Sequence, residues 1–255
     1  KQKTAYEISL GLVGSEMCIR DRFSSFSPLF GMKIKPCFDQ LPLSFSSIVF
    51  LCEKIFEYLP LYEKILFVGD DDFLSLALCL CQKKIKATVI DIDNSLLKKI
   101  EKIAKKYSLL IETKKVDVEK KKALKEKYHL VVLNPPYNLW GAQKFLNFAK
   151  KQIGKEGGFI FLIIGDESMG NRFLLLQEFL TRKKMIVKEV IQGKIFYPWE
   201  IFTKEDRVLK KRALSLVKKE VLNKSPKLTA SLWILEVLPH PVKKIKEEKY
   251  IYGYI

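Results

Sequence analysis

The chain has 255 residues, 48% of them hydrophobic, enough for one sizeable core with at most a small appendage. Its two histidines and its five cysteines, which form no C-x-x-C pair, speak against a histidine zinc site or a Ser-His-Asp triad and for free thiols in a reducing cytoplasm, the expected location. The net charge of +17 is nearly all lysine spread over predicted helices. It reads as solvated faces rather than a phosphate track, so nucleic acid is not the expected partner, and no apolar run approaches the roughly 20 residues a membrane span requires.

Residues 1–22, KQKTAYEISLGLVGSEMCIRDR, resemble translated sequencing-adaptor read-through and lack a signal-peptide layout. They are expected to be non-native and to carry no function, and Met32 is then not a required start. Residues 23–62 read as an N-terminal remnant and a leading helix over Ser46–Tyr58, with Ile48, Val49, Cys52, Ile55 and Phe56 at helical spacing. The expected core domain, 63–240, alternates strand and helix. Strand Lys64–Val68 leads into a helix over Phe73–Cys81. Strand Lys86–Asp91 leads into a helix over Asn94–Tyr107, with Leu97, Ile100, Ile103 and Ala104 on one face. Strand Leu110–Val116 precedes a charged helix over Val118–Lys127.

Strand His129–Leu133 stops at a double proline, and a helix over Trp140–Ile153 comes after it. Strand Phe159–Ile164 and a helix over Arg172–Lys183 come next. Strands Ile186–Gln192 and Ala230–Val237 flank a polar insertion, 193–229, whose aromatic knot Phe196-Tyr197-Pro198-Trp199 reads as a flap. Residues 241–255 form a tail. The fold class is α/β: a Rossmann-like, class I methyltransferase-type sheet of seven strands, mostly parallel with one antiparallel strand.

Three stretches carry chemistry, each at the exit of a strand, where such sheets bind ligands. The first is Gly69-Asp70-Asp71-Asp72. Nucleotide folds normally place glycines at this turn so that backbone can approach the ligand. Here one glycine remains and three carboxylates succeed it. A Mg²⁺ site needs further ligands, and a helix cap explains one aspartate, most simply Asp72. Three adjacent carboxylates repel unless a cation sits among them, and an ammonium-bearing ligand supplies one.

The second is Asp91, about 20 residues further on, where an acid accepts hydrogen bonds from ribose hydroxyls. Asp93 is placed to cap the next helix. Asp117, ending the third strand, is placed either to hold an adenine amino group or to cap the charged helix expected after it. The third is Asn134-Pro135-Pro136-Tyr137. Its prolines fix an extended turn, so the Asn134 side chain and nearby carbonyls can grip an amine while Tyr137 walls or stacks on it.

The turn Gly69-Asp70-Asp71-Asp72-Phe73, the strand end Asp91-Ile92-Asp93 and the turn Asn134-Pro135-Pro136-Tyr137 together resemble the branched-chain polyamine synthase family, over about Phe38 to Leu238. Phe38-Asp39-Gln40 is also similar. The family's proline turn begins with Asp, so Asn134 removes a negative charge, and the winged-helix-like segment of the family is at most a remnant here.

The resemblance implies aminopropyl transfer from decarboxylated S-adenosylmethionine, as co-substrate and with no prosthetic group or metal, onto a secondary amine of spermidine or a related polyamine. Asp71 is then the principal catalytic carboxylate, and Asp70, Asp72 and Asn134 orient substrate. Gly69, Asp91 and Asp117 meet the donor, while Pro135, Pro136 and Tyr137 meet the acceptor. The partner is a small-molecule polyamine, with a homodimer left open. The alternative is a methyltransferase using S-adenosylmethionine to modify an exocyclic amine of adenine or a protein glutamine, since such enzymes share the N-P-P-Y turn.

Overall fold

The computed structural model describes Lys35 and residues 40–58, 64–198 and 227–239. The expectations for residues 1–22, for Phe38-Asp39, for the middle of the insertion and for the tail lie outside these. Among the described residues no helix is long and apolar enough to cross a membrane.

The elements in chain order are α1 (Phe45–Tyr58), β1 (Lys64–Val68), α2 (Leu74–Cys81), β2 (Lys86–Asp91), α3 (Asn94–Tyr107), β3 (Ile111–Lys115) and β4 (Leu130–Leu133). Next come α4 (Leu139–Gln152), β5 (Gly158–Gly165), the single turn α5 (Asp166–Met169), α6 (Arg172–Arg182), β6 (Met185–Pro198) and β7 (Lys227–Val237). They build one seven-stranded sheet in the order β3-β2-β1-β4-β5-β7-β6. All neighbours pair in parallel except β7, which runs antiparallel to both β5 and β6.

The central strands read as unbroken apolar runs because both faces of the sheet are covered. Alternate residues serve opposite layers. Ile65 and Phe67 of β1 join Val89, Val132 and Ile163 in a core closed by α1, α2 and α3. Leu66 and Val68 join Ile90, Leu133 and Ile164 in a second core under α4 and α6. On α3, Leu96, Leu97, Ile100 and Ala104 are buried and its lysines face outward, the apolar stripe that its spacing predicts.

Two expectations are corrected. Residues 118–127 are not a helix: the chain makes one turn at Asp117, with Lys120 and Lys121 donating to its carbonyl, and then runs irregularly to β4. Lys120, Lys121, Lys122 and Lys125 crowd like charge at helical spacing, and Val118 and Leu124 alone give too little apolar face to offset it. The last strand pair is also longer than expected. β6 continues through Gly193 to Pro198, and β7 begins at Lys227, because Ile195–Pro198 pair with Lys227–Ala230. Gly193, at φ 69, marks a register shift between Ile191 and Ile195, so a bulge stands where the sequence reads as the start of a loop.

Candidate active site

The strand order reverses between β1 and β4, and there the chain leaves both strands in turns that part at the carboxyl edge of the sheet. A cavity of about 460 Å³ occupies the gap. Gly69, Asp71, Asp91, Asp117, Asn134, Pro135, Pro136 and Tyr137 line it, so eight of the residues singled out from sequence meet at one place.

Gly69 opens the site. Its φ of 77 lies in the left-handed region, and its N–H donates to the Ile90 carbonyl at 3.0 Å, holding the turn against β2. A side chain here would be strained, and its Cβ would lie 3.5 Å from the Asn134 carbonyl across the cleft.

The three aspartates after it part company. Asp70 turns inward and caps α2, accepting from the backbone N–H of Ser75 at 3.2 Å and from the Ser75 hydroxyl. The cap is therefore Asp70, not Asp72. Burial pushes the Asp70 carboxyl up to about 8, against the lowering effect of the Ser75 hydrogen bonds and with the Asp71 charge adding to the rise.

Asp72 is buried too, and accepts from the Leu43 N–H and from Asn134 Nδ2 at 3.1 Å. Burial, and after it the charge of Asp71, raises its carboxyl well above the usual range. Asp71 is the member of the triplet that lines the cavity. One of its oxygens accepts the Leu41 N–H at 2.7 Å. Of the three aspartates only Asp71 is among the residues lining this cavity, and Asp70 and Asp72 build the turn that presents it.

Asp91 ends β2 half-buried, its Oδ1 accepting the Asp93 N–H at 2.7 Å. Burial raises its carboxyl, partly countered by that bond. Asp93 caps α3 through the Ser95 N–H, as its position predicts. Burial raises its carboxyl, but hydrogen bonds from Lys35, Ser95 and Gln40 outweigh that and hold it well below the usual carboxylate range. Asp117 lines the cavity and also stabilises the turn after β3, its Oδ1 accepting the Glu119 N–H at 3.0 Å.

The proline turn comes directly after β4. The Tyr137 hydroxyl donates to Asn134 Oδ1 at 3.3 Å, and Asn134 Nδ2 donates to Asp72. The Tyr137 ring lies at the end of β5, against Gly165.

Of the lining residues given no site role from sequence, Gln40, Leu41 and Tyr197 come from outside the three strand-exit turns. Gln40 and Leu41 belong to a stretch ahead of α1 that runs across the aspartate turn, giving backbone donors to Asp71 and Asp72 through Leu41 and Leu43. Gln40 reaches Asp93 with Nε2 at 3.0 Å. Tyr197 comes from the end of β6, and its hydroxyl meets that of Tyr137. The aromatic knot around Tyr197 was its one signal in the sequence.

The charge of the cavity is opposite to that of the chain. Asp71, Asp91, Asp117 and Glu119 line it, and among the described residues none that lines it is basic. Hydrophobic walls from Val68, Ile90, Val116 and Phe145 complete a site for a ligand that is apolar in part and cationic in part.

Residues 34–252 match the family model described as the branched-chain polyamine synthase A C-terminal domain. The chain belongs to the branched-chain polyamine synthase family. A structure similar in fold is that of a branched-chain polyamine synthase C9 mutein from Thermus thermophilus in complex with N4-aminopropylspermidine and 5'-methylthioadenosine. It is 20% identical, the match covers 92% of this chain and 68% of that one, and the TM-score is 0.72. A putative RNA methyltransferase from Pyrococcus horikoshii is 13% identical, with 84% and 95% covered and a TM-score of 0.59. An uncharacterized protein of Methanocaldococcus jannaschii is 33% identical over 137 residues, 53% of this chain and 34% of that protein. The chain thus spans about a third of the length of that curated relative.

Proposed function

We propose that this chain is an aminopropyltransferase that moves the aminopropyl group of decarboxylated S-adenosylmethionine onto a secondary amine of spermidine or a related polyamine. The observation that carries the reading is the acidic cavity inside a basic chain, with Asp71 beside the single glycine of the first turn. In this reading Gly69 lets the donor approach the backbone, Asp91 accepts from its ribose, and Asp117 accepts from its adenine amino group. The donor ends in an ammonium and lacks the methionine carboxylate. Asp71 favours it, and repels the carboxylate of S-adenosylmethionine.

The acceptor lies between Asp71 and the Asn134-Pro135-Pro136-Tyr137 turn. An alkylamine with a pKa near 10 must lose a proton before it attacks. Asp71 accepts that proton, and the lone pair so freed on the amine nitrogen then bonds to the methylene carbon on the sulfonium. The carbon–sulfur bond breaks, and its electron pair leaves on sulfur as neutral 5'-methylthioadenosine. Asp70 and Asp72 hold the turn from behind, and the Leu41 N–H aims the Asp71 carboxylate. The amino-methyltransferase alternative needs the methionine carboxylate where Asp71 stands, and the engagement of both Asn134 side-chain atoms by Tyr137 and Asp72 speaks against it as well.

Asp71→Asn tests the assignment, because it keeps the side-chain shape and removes the base. The variant should fold normally and lose transfer by about 100-fold or more, measured as methylthioadenosine release. A folded variant with parental rates contradicts the role of Asp71.

A further inference from the structure

Tyr137 belongs to the acceptor side of the cavity in the proposed reaction, and the structure fixes its ring from two directions. Along one flank lies Gly165, the last residue of β5. A Cβ on Gly165 would come within 2.4 Å of Tyr137 Cδ2 and 2.8 Å of Cε2, separations that real Cβ atoms essentially never reach. The ring therefore lies where only a glycine backbone leaves room for it. Gly165 has no positive φ among the glycines that do, so the backbone conformation does not demand a glycine here.

At its tip, the Tyr137 hydroxyl donates to Asn134 Oδ1 at 3.3 Å and meets the Tyr197 hydroxyl. With the Tyr137 proton committed to Asn134, Tyr197 is the donor of the pair. The bonds then run in one direction: Tyr197 to Tyr137, Tyr137 to Asn134, and Asn134 to Asp72. The two rings also stand edge to face, their centroids 5.9 Å apart at 67°.

Tyr197 is itself held. It is buried, on a strand whose register shift at Gly193 turns Ile195 and Tyr197 toward the core. The neighbouring Phe196 donates its N–H to the Ser47 hydroxyl at 2.7 Å and accepts the Ser44 N–H at 2.8 Å, which pins the end of β6 to the start of α1. Gly165 pairs with Ala230 and Tyr197 with Leu228 on the same strand β7, so one strand sets the spacing of the two.

We propose that Gly165 and Tyr197 are positioning residues for the acceptor amine: they hold Tyr137 as a fixed wall of the polyamine end of the cavity, and so set acceptor affinity without touching the donor. The proposal rests on the aminopropyltransferase reading of the same site.

The test is steady-state transfer from decarboxylated S-adenosylmethionine to spermidine, with donor affinity measured separately by calorimetry. Tyr197→Phe and Gly165→Ala should each raise the spermidine KM about 10-fold while leaving donor affinity at the parental value. In a Tyr137→Ala background the Gly165→Ala change should have no further effect, because the ring that needs the space is gone. An unchanged spermidine KM in both single variants overturns the proposal. A Gly165→Ala penalty that persists in the Tyr137→Ala background also overturns it, since the glycine would then serve the strand and not the ring. A parent enzyme that transfers nothing to any polyamine overturns the functional reading and the proposal with it.

Discussion

Asn134 departs from the aspartate that the family resemblance places at the head of the proline turn, and its neighbours make the exchange intelligible. Its Nδ2 donates to a buried carboxyl, Asp72, that burial and the Asp71 charge incline to keep a proton. An aspartate at 134 could not donate, but a protonated Asp72 could donate to it, so the contact would survive with its direction reversed. Asn134→Asp is predicted to keep transfer at neutral pH and to lose it on the alkaline side relative to the parent, as the shared proton leaves. A pH–rate profile checks this, and a folded variant inactive at neutral pH contradicts it.

Asp70 makes a second prediction at this scale. Its carboxyl titrates near 8 in the folded chain against an ordinary value of 3.8, so between these the folded form holds a proton that the unfolded chain has lost. The stabilising contribution is whole below the lower value and disappears as pH rises through the upper one. The ligand-free protein should therefore lose Tm as pH rises from about 4 to about 8 and level off above that, and Asp70→Asn should flatten the decline. An equal slope in both proteins would remove Asp70 as its cause.

Among the elements, α3 shows how far local sequence reaches. Asp93 caps its start, its apolar stripe faces the sheet, and its ends fall where the sequence puts them. At its end Ser108 adopts φ 54, a conformation that favours glycine, with its N–H returning to the Ala104 and Lys105 carbonyls. Ser108→Gly is predicted to stabilise the protein by about 0.5–1 kcal/mol, read as a rise in Tm, whereas a fall would mean that the serine side chain matters more than the backbone strain.

The strands β1 and β2 were legible to the residue, because a buried parallel strand is an apolar run cut off by a turn. The stretch after Asp117 was not, since lysines at helical spacing read alike as a solvated helix face and as the like-charge crowding that leaves the chain irregular there. The bulge at Gly193 was unreadable for a related reason: a glycine and a polar run mark a loop and a bulge alike, and pairing with a distant strand decides between them. The site obeyed the same rule. Its glycine, acids and proline turn lie at strand exits, where a local pattern announces them. Gln40, Leu41 and Tyr197 reach the cavity only through tertiary contacts.

For the whole molecule the informative quantity is a contrast of sign. The chain carries a net charge of +17, yet the described residues that line its cavity include four acids and no base. Long-range attraction would therefore not bring a polycation to this protein; in the proposed reaction recognition comes from the carboxylates at short range, where salt screens them less than it screens the surface. The same contrast separates the two cosubstrates most alike in shape. In the proposed reaction decarboxylated S-adenosylmethionine would present an ammonium alone to Asp71, and S-adenosylmethionine would add a carboxylate to that encounter. Calorimetric titration of the parent protein with each compound in turn tests this most directly. The decarboxylated compound should bind at least ~10-fold more tightly, and Asp71→Asn should narrow the gap. Tighter binding of S-adenosylmethionine would contradict the charge argument and make the chain an amine methyltransferase.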